Sequence, residues 1–467
     1  MFTQTLDPLH STLGDTLVAL VPVAVLLILL GGLRLTAWLT VIIGAIVTIV
    51  LGILVWGMPL GTGLTAYGLG AVTGFWSINW IVFWGVIIYN TLVVTGAFDD
   101  LKRWLTAQGT ADIRVQTILM AWAFGALMEG LVGFGFPWAV VTPILVGLGM
   151  AELAAVRVAA LANNAPVSYG ALGAPIIGLA AVTNLPLLDL SASVGKIVAI
   201  LALAPPWLLI YLVAGRRGFR DGWPLAVVGS LAYIAGQLPT AVFLGPYLPD
   251  IFGSLLCFGA LLLLLRVWRP RHILGFGGRE LTPDEINRQT AVGAGPGAMT
   301  AGSGRAGLRE AARGLIPFLI LVVVVVLWTG PWSTLTKFAP FKTEVLAHGS
   351  LGGIVKADWS WTPFVAGTAI LVSWLLILAY LRPRRADLPE IFRRTFKQMW
   401  GALLVGPLIY GLAFVFNFSG MASSMAFGFS RVGTAFIVLA PILGWIGVAL
   451  SGSNTSTNAV FGAFQLT

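Results

Sequence analysis

Two stretches of the chain gather amide and hydroxyl side chains among apolar neighbours. In LANNAPVSYGALGAP (Leu161 to Pro175) these are Asn163, Asn164 and Ser168. In LSGSNTSTNAVFGAFQ (Leu450 to Gln465) they are Ser451, Ser453, Asn454, Thr455, Ser456, Thr457 and Asn458. Neutral donors of this kind, with the N–H groups of half-helix N-termini, hold a small carboxylate without burying a fixed counter-charge. A third group is Glu129. Of the 18 acidic residues nearly all fall in loops or at their edges, whereas Glu129 lies between ILMAWAFGALM (Ile118 to Met128) and GLVGFG. A carboxylate at membrane centre costs about 2.5 to 3.5 kcal/mol, so such an acid is a functional candidate by default. A carboxyl withdrawn from water has the chemistry of a proton carrier. Blander roles remain open: Glu129 could cap a half-helix or pair with Arg157 or Lys196, and Ser, Thr and Gly also let helices pack closely.

These residues belong to segments that break. Gly, Pro, Asn and Ser crowd Met128 to Gly149 and Leu161 to Pro175, and again Leu450 to Gln465, at a density no plain helix tolerates. Irregular backbone at membrane depth survives only where protein or a wet cavity satisfies its amide groups. Both regions are therefore expected to form re-entrant hairpins meeting near the midplane. Gly133, Gly135 and Pro137 should shape the tip or hinge of the first, because glycine adopts φ values closed to other residues.

The surroundings are a membrane protein's. Of 467 residues 58% are apolar and 10% charged, against about 25% charged in soluble globular chains. Runs near the roughly 20 residues that cross about 30 Å of hydrocarbon are Leu17 to Leu33, Ala37 to Gly57, Gly70 to Thr95, Ser193 to Ala214, Trp223 to Phe243, Ile251 to Leu265, Leu315 to Trp328, Pro363 to Leu381, Trp400 to Phe418 and Val432 to Leu450. The net charge of +9 is no nucleic-acid signal. The loops at Arg34, Lys102 to Arg114, Arg216 to Arg220, Arg266 to Arg313 and Arg382 to Lys397 hold 21 of the 27 basic residues and fall together on the cytoplasmic side. The loops Gly245 to Asp250 and Pro331 to Trp361 face the other way. No basic n-region precedes the first run, so the N-terminus does not read as a removable signal peptide.

The lone Cys257, the scattered His10, His272 and His348 and the lack of a nucleotide loop such as G-x-x-x-x-G-K-[ST] argue against a metal cluster, a cofactor or an enzyme. Residues 266–313, with GAGPGAMTAGSGRAG (Gly293 to Gly307), read as a cytoplasmic Gly-rich linker. It separates residues 1–265, a first repeat with flanking spans, from residues 314–467, a second repeat. Val21 to Leu30 echoes Ile316 to Val325, and Trp138 to Gly149 echoes Phe436 to Gly447; by the charge rule the first pair runs in opposite senses. The fold expected is an all-α polytopic membrane protein, an inverted-repeat secondary transporter with two broken or re-entrant segments.

The chain resembles the bacterial L-lactate permease family over essentially all of its length. The resemblance rests on INWIVFWGVIIYNTLVVTGAFD (Ile78 to Asp99), FGALMEGLVGFGFP (Phe124 to Pro137), NAPVSYGALGAPI (Asn164 to Ile176), GPYLPDI (Gly245 to Ile251), ADWSWT (Ala357 to Thr362), NFSGMASSMA (Asn417 to Ala426) and GWIGVALSGSNTSTNAVFGAFQ (Gly444 to Gln465), in this order. It implies symport of lactate or glycolate with protons across the bacterial inner membrane. The alternative of similar architecture is a sodium-coupled carboxylate carrier or a sodium/proton antiporter. Asn90 and Asn454 stand where many members carry lysine and aspartate. The family also continues beyond the position of Thr467 with another amide- and serine-rich segment and a last span, which implies a second repeat lacking its C-terminal end. Oligomeric state is not readable.

Overall fold

The computed structural model describes residues 1–108, 110–133, 135–147, 149–286, 304–431 and 433–466. Where water is absent the backbone must satisfy its own hydrogen bonds, and the chain does so as helix. Eight helical segments among the described residues are long and apolar enough to cross a membrane. They include α1 (Thr12–Leu27, extended by a π-turn to Gly32), α2 (Ala37–Leu54) and the run of α3 (Leu60–Thr73) into α4 (Trp80–Val94). Ile46, Val50 and Leu54 of α2 lie exposed, as a lipid-facing surface requires.

One apolar stretch, Leu187–Phe243, has 57 residues, about 85 Å as straight helix, and it folds back on itself. It comprises α11 (Leu187–Leu201) and α12 (Pro205–Phe243), and at Gly215 the backbone turns through φ 60°, ψ −160°. The Ser191 hydroxyl donates to the Ala241 carbonyl at 2.8 Å and Ser230 to that of Leu203 at 3.1 Å. The stretch is thus two antiparallel spans with Arg216, Arg217 and Arg220 at the turn, as the charges predict.

The basic loops collect at one end. Arg114 ion-pairs with Asp112 at 2.7 Å, both buried, and donates to the carbonyls of Gly218 and His272. The Asp112 carboxylate also accepts the Leu274 N–H at 3.0 Å. The first part of the 266–313 segment is therefore pinned to the protein rather than free. Residues 287–303 lie outside the described residues, and Gly304 to Arg313 already belong to α14 (Gly304–Thr329). Arg313 closes this face by pairing with Asp100 of α5 (Ala97–Gln108) at 3.1 Å.

At the opposite end, within the expected loop Pro331 to Trp361, strands β2 (Phe341–His348) and β3 (Ile354–Trp361) pair antiparallel from Phe341↔Trp361 to His348↔Ile354. Strand β1 (Phe2–Thr3) adds in parallel to β2. His348 is accordingly a strand residue. The second half returns through α15 (Ala366–Leu381), α16 (Asp387–Ser419) and α17 (Met421–Ser430).

The run expected from Val432 to Leu450, of which Val432 lies outside the described residues, is not a full span. Its helix α18 (Phe436–Ser451) turns at Gly452 into α19 (Asn454–Leu466), and the two run antiparallel. Gln465 donates to the Ala440 carbonyl at 3.3 Å, and a Cβ on Gly447 would lie 2.7 Å from Thr457. Leu466 ends beside Asn184 and the β3 residues Lys356 and Asp358, so this hairpin enters from the sheet face and points inward. A second hairpin points up from the basic face. Helix α6 (Ile113–Thr117) continues through a π-turn into α7 (Gly125–Leu131), and α8 (Phe136–Gly147) descends again beside Tyr89, Val93 and Asp99. Every residue from Asp112 to Gly133 is buried. As a consequence the two echo pairs differ: α1 and α14 run in opposite senses, whereas α8 and α18 both run towards the basic face.

Candidate functional site

Glu129 sits 16 residues beyond Ile113, about 24 Å up the rising arm at 1.5 Å per residue. Tyr233 lies a similar distance above Gly218, where Arg114 ties the two helices together, so both residues share one depth. Just past Glu129 the arm ends because Gly133 (φ 63°) and Gly135 (φ 70°) adopt left-handed backbone; a side chain at either position would be strained. Pro137 is buried in the first turn of α8, where a missing N–H costs nothing. Phe134 lies outside the described residues.

Helix α9 (Glu152–Ala162) rises from the basic side to Asn163, its C-cap. The chain then breaks through Pro166–Tyr169 and enters α10 (Gly170–Thr183), whose first turn is not helical. Ala171, Leu172 and Gly173 are left-handed in succession, at φ 47°, 57° and 80°. For two residues with side chains this is a strained backbone, of the kind that concentrates at functional sites. It brings Ala171 against Gly133, where a Cβ would lie 2.8 Å away.

The hairpin tips and this break enclose a cavity of about 60 Å³. Glu129, Gly133 and Gly135 line it from below, Val167, Gly170, Ala171 and Pro175 from the broken helix, and Gly452, Ser453, Asn454 and Thr455 from above. Ser453 caps α19: its hydroxyl accepts the Ser456 N–H at 3.2 Å and its carbonyl that of Thr457 at 3.0 Å. The positive end of a 13-residue helix therefore faces the cavity. Glu129 is 2% exposed, and its Oε2 has no hydrogen-bond partner. Gly170 leaves the room for its carboxyl, since a methyl there would overlap Oε1.

The sequence-derived candidates divide. Glu129, Gly133, Gly135, Ser453, Asn454 and Thr455 come together at the cavity, and the Asn163 side chain approaches the Glu129 carboxyl. Asn164 is exposed and Ser168 half-buried, and neither lines it. Asn458 donates instead to the Pro175 carbonyl at 3.0 Å, tying α19 to α10. Ser456 faces a larger cavity of about 480 Å³ on the far side of the tip, which Ser453 and Thr455 line as well and which is walled mainly by Val23, Leu26, Leu27, Leu30 and Val41. The smaller space is the better candidate because it holds the buried carboxyl and both tips. Arg157 and Lys196 are exposed and neither acts on Glu129. One residue was missed: Asp250, 1% exposed, lies at this depth and accepts the Tyr233 hydroxyl at 2.7 Å. Its segment GPYLPDI reads as a loop edge, so no sequence signal marked it.

The sequence profile of the L-lactate permease family matches residues 15–467. A glycolate permease of Escherichia coli (strain K12) is 32% identical over 503 residues, covering all of this chain and 85% of that protein. An L-lactate permease of the same strain is 29% identical, covering all of the chain and 86% of the relative. An L-lactate permease of Bacillus subtilis (strain 168) is 30% identical, covering 99% and 85%. No solved structure matches. With its apolar spans and bacterial permease relatives, the chain is a multi-pass protein of the bacterial inner membrane. It belongs to the L-lactate permease family.

Proposed function

We propose that the protein is a secondary transporter that moves a small 2-hydroxymonocarboxylate, lactate or glycolate, together with a proton by alternating access. The observation that carries the reading is the cavity between two hairpin tips from opposite faces, with a buried carboxyl whose Oε2 is unpartnered. The substrate carboxylate would sit at the N-terminus of α19, near Ser453 and Thr455. The relatives' names supply the substrate class. Asn163 would orient Glu129, and the tips, with residues 1–265 and 314–467 as inverted halves, would open in turn. The opposite senses of α1 and α14 support that arrangement.

Lactate is an anion at neutral pH, and an interior-negative potential opposes its uptake by about 2.3 kcal/mol per charge per 100 mV. A proton carried on Glu129 cancels this cost. Glu129→Gln keeps the shape of the side chain but cannot release a proton. In proteoliposomes it should lose accumulation of labelled lactate under an inward proton gradient. If the Gln variant accumulates lactate like the wild type, Glu129 is structural. Uptake that follows a sodium gradient and ignores pH would instead favour a sodium-coupled carrier.

A further inference from the structure

A basic pocket lies away from the hairpin tips, at the cytoplasmic ends of α4 and α16. It has a volume of about 560 Å³ and is lined by Asn90 and Val93 of α4 and by Arg393, Arg394 and Lys397 of α16, with Glu390 as the one acid among the described residues. The two helices are joined there by Asn90, whose amide donates to the buried Thr395 hydroxyl at 2.9 Å. Glu390 accepts from Arg393 Nε at 2.7 Å and Nη2 at 2.9 Å and from Arg394 Nε at 2.6 Å. One acid thus answers two arginines, and Lys397 adds a third positive charge, so the pocket is left cationic. Beside it a crevice of about 370 Å³ shares Tyr89 and Val93 with the pocket and runs against α8, the descending arm of the first hairpin. Apart from Asp99 and the Tyr89 phenol its walls are apolar, chiefly Phe98, Val140, Pro143 and Ile144. Phe396 and Trp400 are exposed on α16, each one turn beyond a cation of the pocket, and an exposed tryptophan beside Lys and Arg marks the headgroup level of a bilayer. A soluble anion would use the cations alone, whereas an anionic amphiphile uses the cations and the crevice.

We propose that the two cavities together bind one anionic phospholipid of the cytoplasmic leaflet, with its phosphate among Arg393, Arg394 and Lys397 and an acyl chain in the crevice along α8. Guanidinium groups give phosphate oxygens short charge-assisted hydrogen bonds, and Lys397 contributes a point charge. The Nη atoms of Arg394 and the Lys397 ammonium are not taken up by Glu390 and are open to the phosphate. The acyl chain lies between α4 and an arm of the hairpin whose tip lines the Glu129 cavity. The lipid site stands whichever solute the protein carries.

The test is saturable binding of radiolabelled dioleoylphosphatidylglycerol to the purified full chain in detergent. Unlabelled dioleoylphosphatidylglycerol should displace the label, and dioleoylphosphatidylcholine, which has no net charge, should not. Lys397 is exposed and lies outside the arginine–Glu390 cluster, so Lys397→Gln leaves the fold in place; it should weaken binding about fivefold, the share of one cation near a membrane surface. Lys397→Arg should keep wild-type binding. Val140→Trp, which fills the crevice and leaves every charge, should weaken binding as well. Wild-type affinity in a Lys397→Gln protein that elutes as a single species overturns the proposal. Displacement of the label by millimolar inorganic phosphate or lactate, with binding unchanged in a folded Val140→Trp protein, would make the pocket a site for free anions and overturns it equally.

Discussion

Gly170 offers the most direct perturbation of the cavity. Its backbone, at φ −57° and ψ 155°, is open to any residue, so Gly170→Ala adds a methyl group without backbone strain. That methyl would overlap Glu129 Oε1 and lie 3.0 Å from the carboxyl carbon and 3.3 Å from Cγ. The carboxyl must swing away, and the cavity of about 60 Å³ is the space open to it, which is the room the substrate needs. Overpacking of this kind costs about 1 to 3 kcal/mol, a loss of roughly 5- to 150-fold in apparent affinity if it falls on substrate binding. The assay is the concentration dependence of lactate uptake in proteoliposomes, with thermal melting as the control for folding. Glu129→Asp, one methylene shorter, should recover part of the loss when combined with Gly170→Ala, and this non-additivity separates a local clash from general damage. A folded Gly170→Ala protein with wild-type KM would refute the placement of substrate beside Glu129.

Two further outcomes follow from the same geometry. Asn454→Ala, at a position that lines the smaller cavity and not the larger one, should raise KM, whereas Ser456→Ala, facing the larger cavity, should leave it unchanged; equal effects in a kinetic comparison would mean that both faces of the tip bind substrate. Arg114→Met strands a buried Asp112 carboxylate and should destabilise the protein by about 3 to 5 kcal/mol, read as a lower Tm in detergent, and an unshifted Tm would show that the cluster joining residues 112, 218 and 272 holds nothing together.

The lipid-facing spans were legible because each has to be apolar where it meets hydrocarbon, and the basic loops were legible because Lys and Arg stay on one side. The rising arm Ile113–Leu131 escaped the hydropathy reading for the converse reason. It is sheathed by protein, so it can carry Arg114, Gln116 and Glu129 without meeting lipid. Helix α18 has the hydropathy of a span because the arm of a re-entrant hairpin and half of a crossing helix have the same length and composition. What separates them is the turn at Gly452 and the return of α19 to the same face. The strands β2 and β3 carry alternating β-branched and aromatic residues around a Gly-rich turn, a local signal independent of the charges that place the loop.

The two buried acids show where local reading of a site ends. Glu129 announces itself because apolar residues flank it on both sides, so its depth is written into its neighbours. Asp250 has the same burial, yet its flanks, Tyr247, Leu248 and Pro249, resemble a loop leaving a membrane. Its depth comes from elsewhere: Gly245, Pro246 and Leu248 are buried, and Gly173 has no Cβ where the Pro246 carbonyl crosses it. A Cβ on Gly173 would overlap that carbonyl, so a glycine in one broken helix fixes the height of an acid 77 positions later. Such coupling joins residues through space, and no window along the sequence contains both.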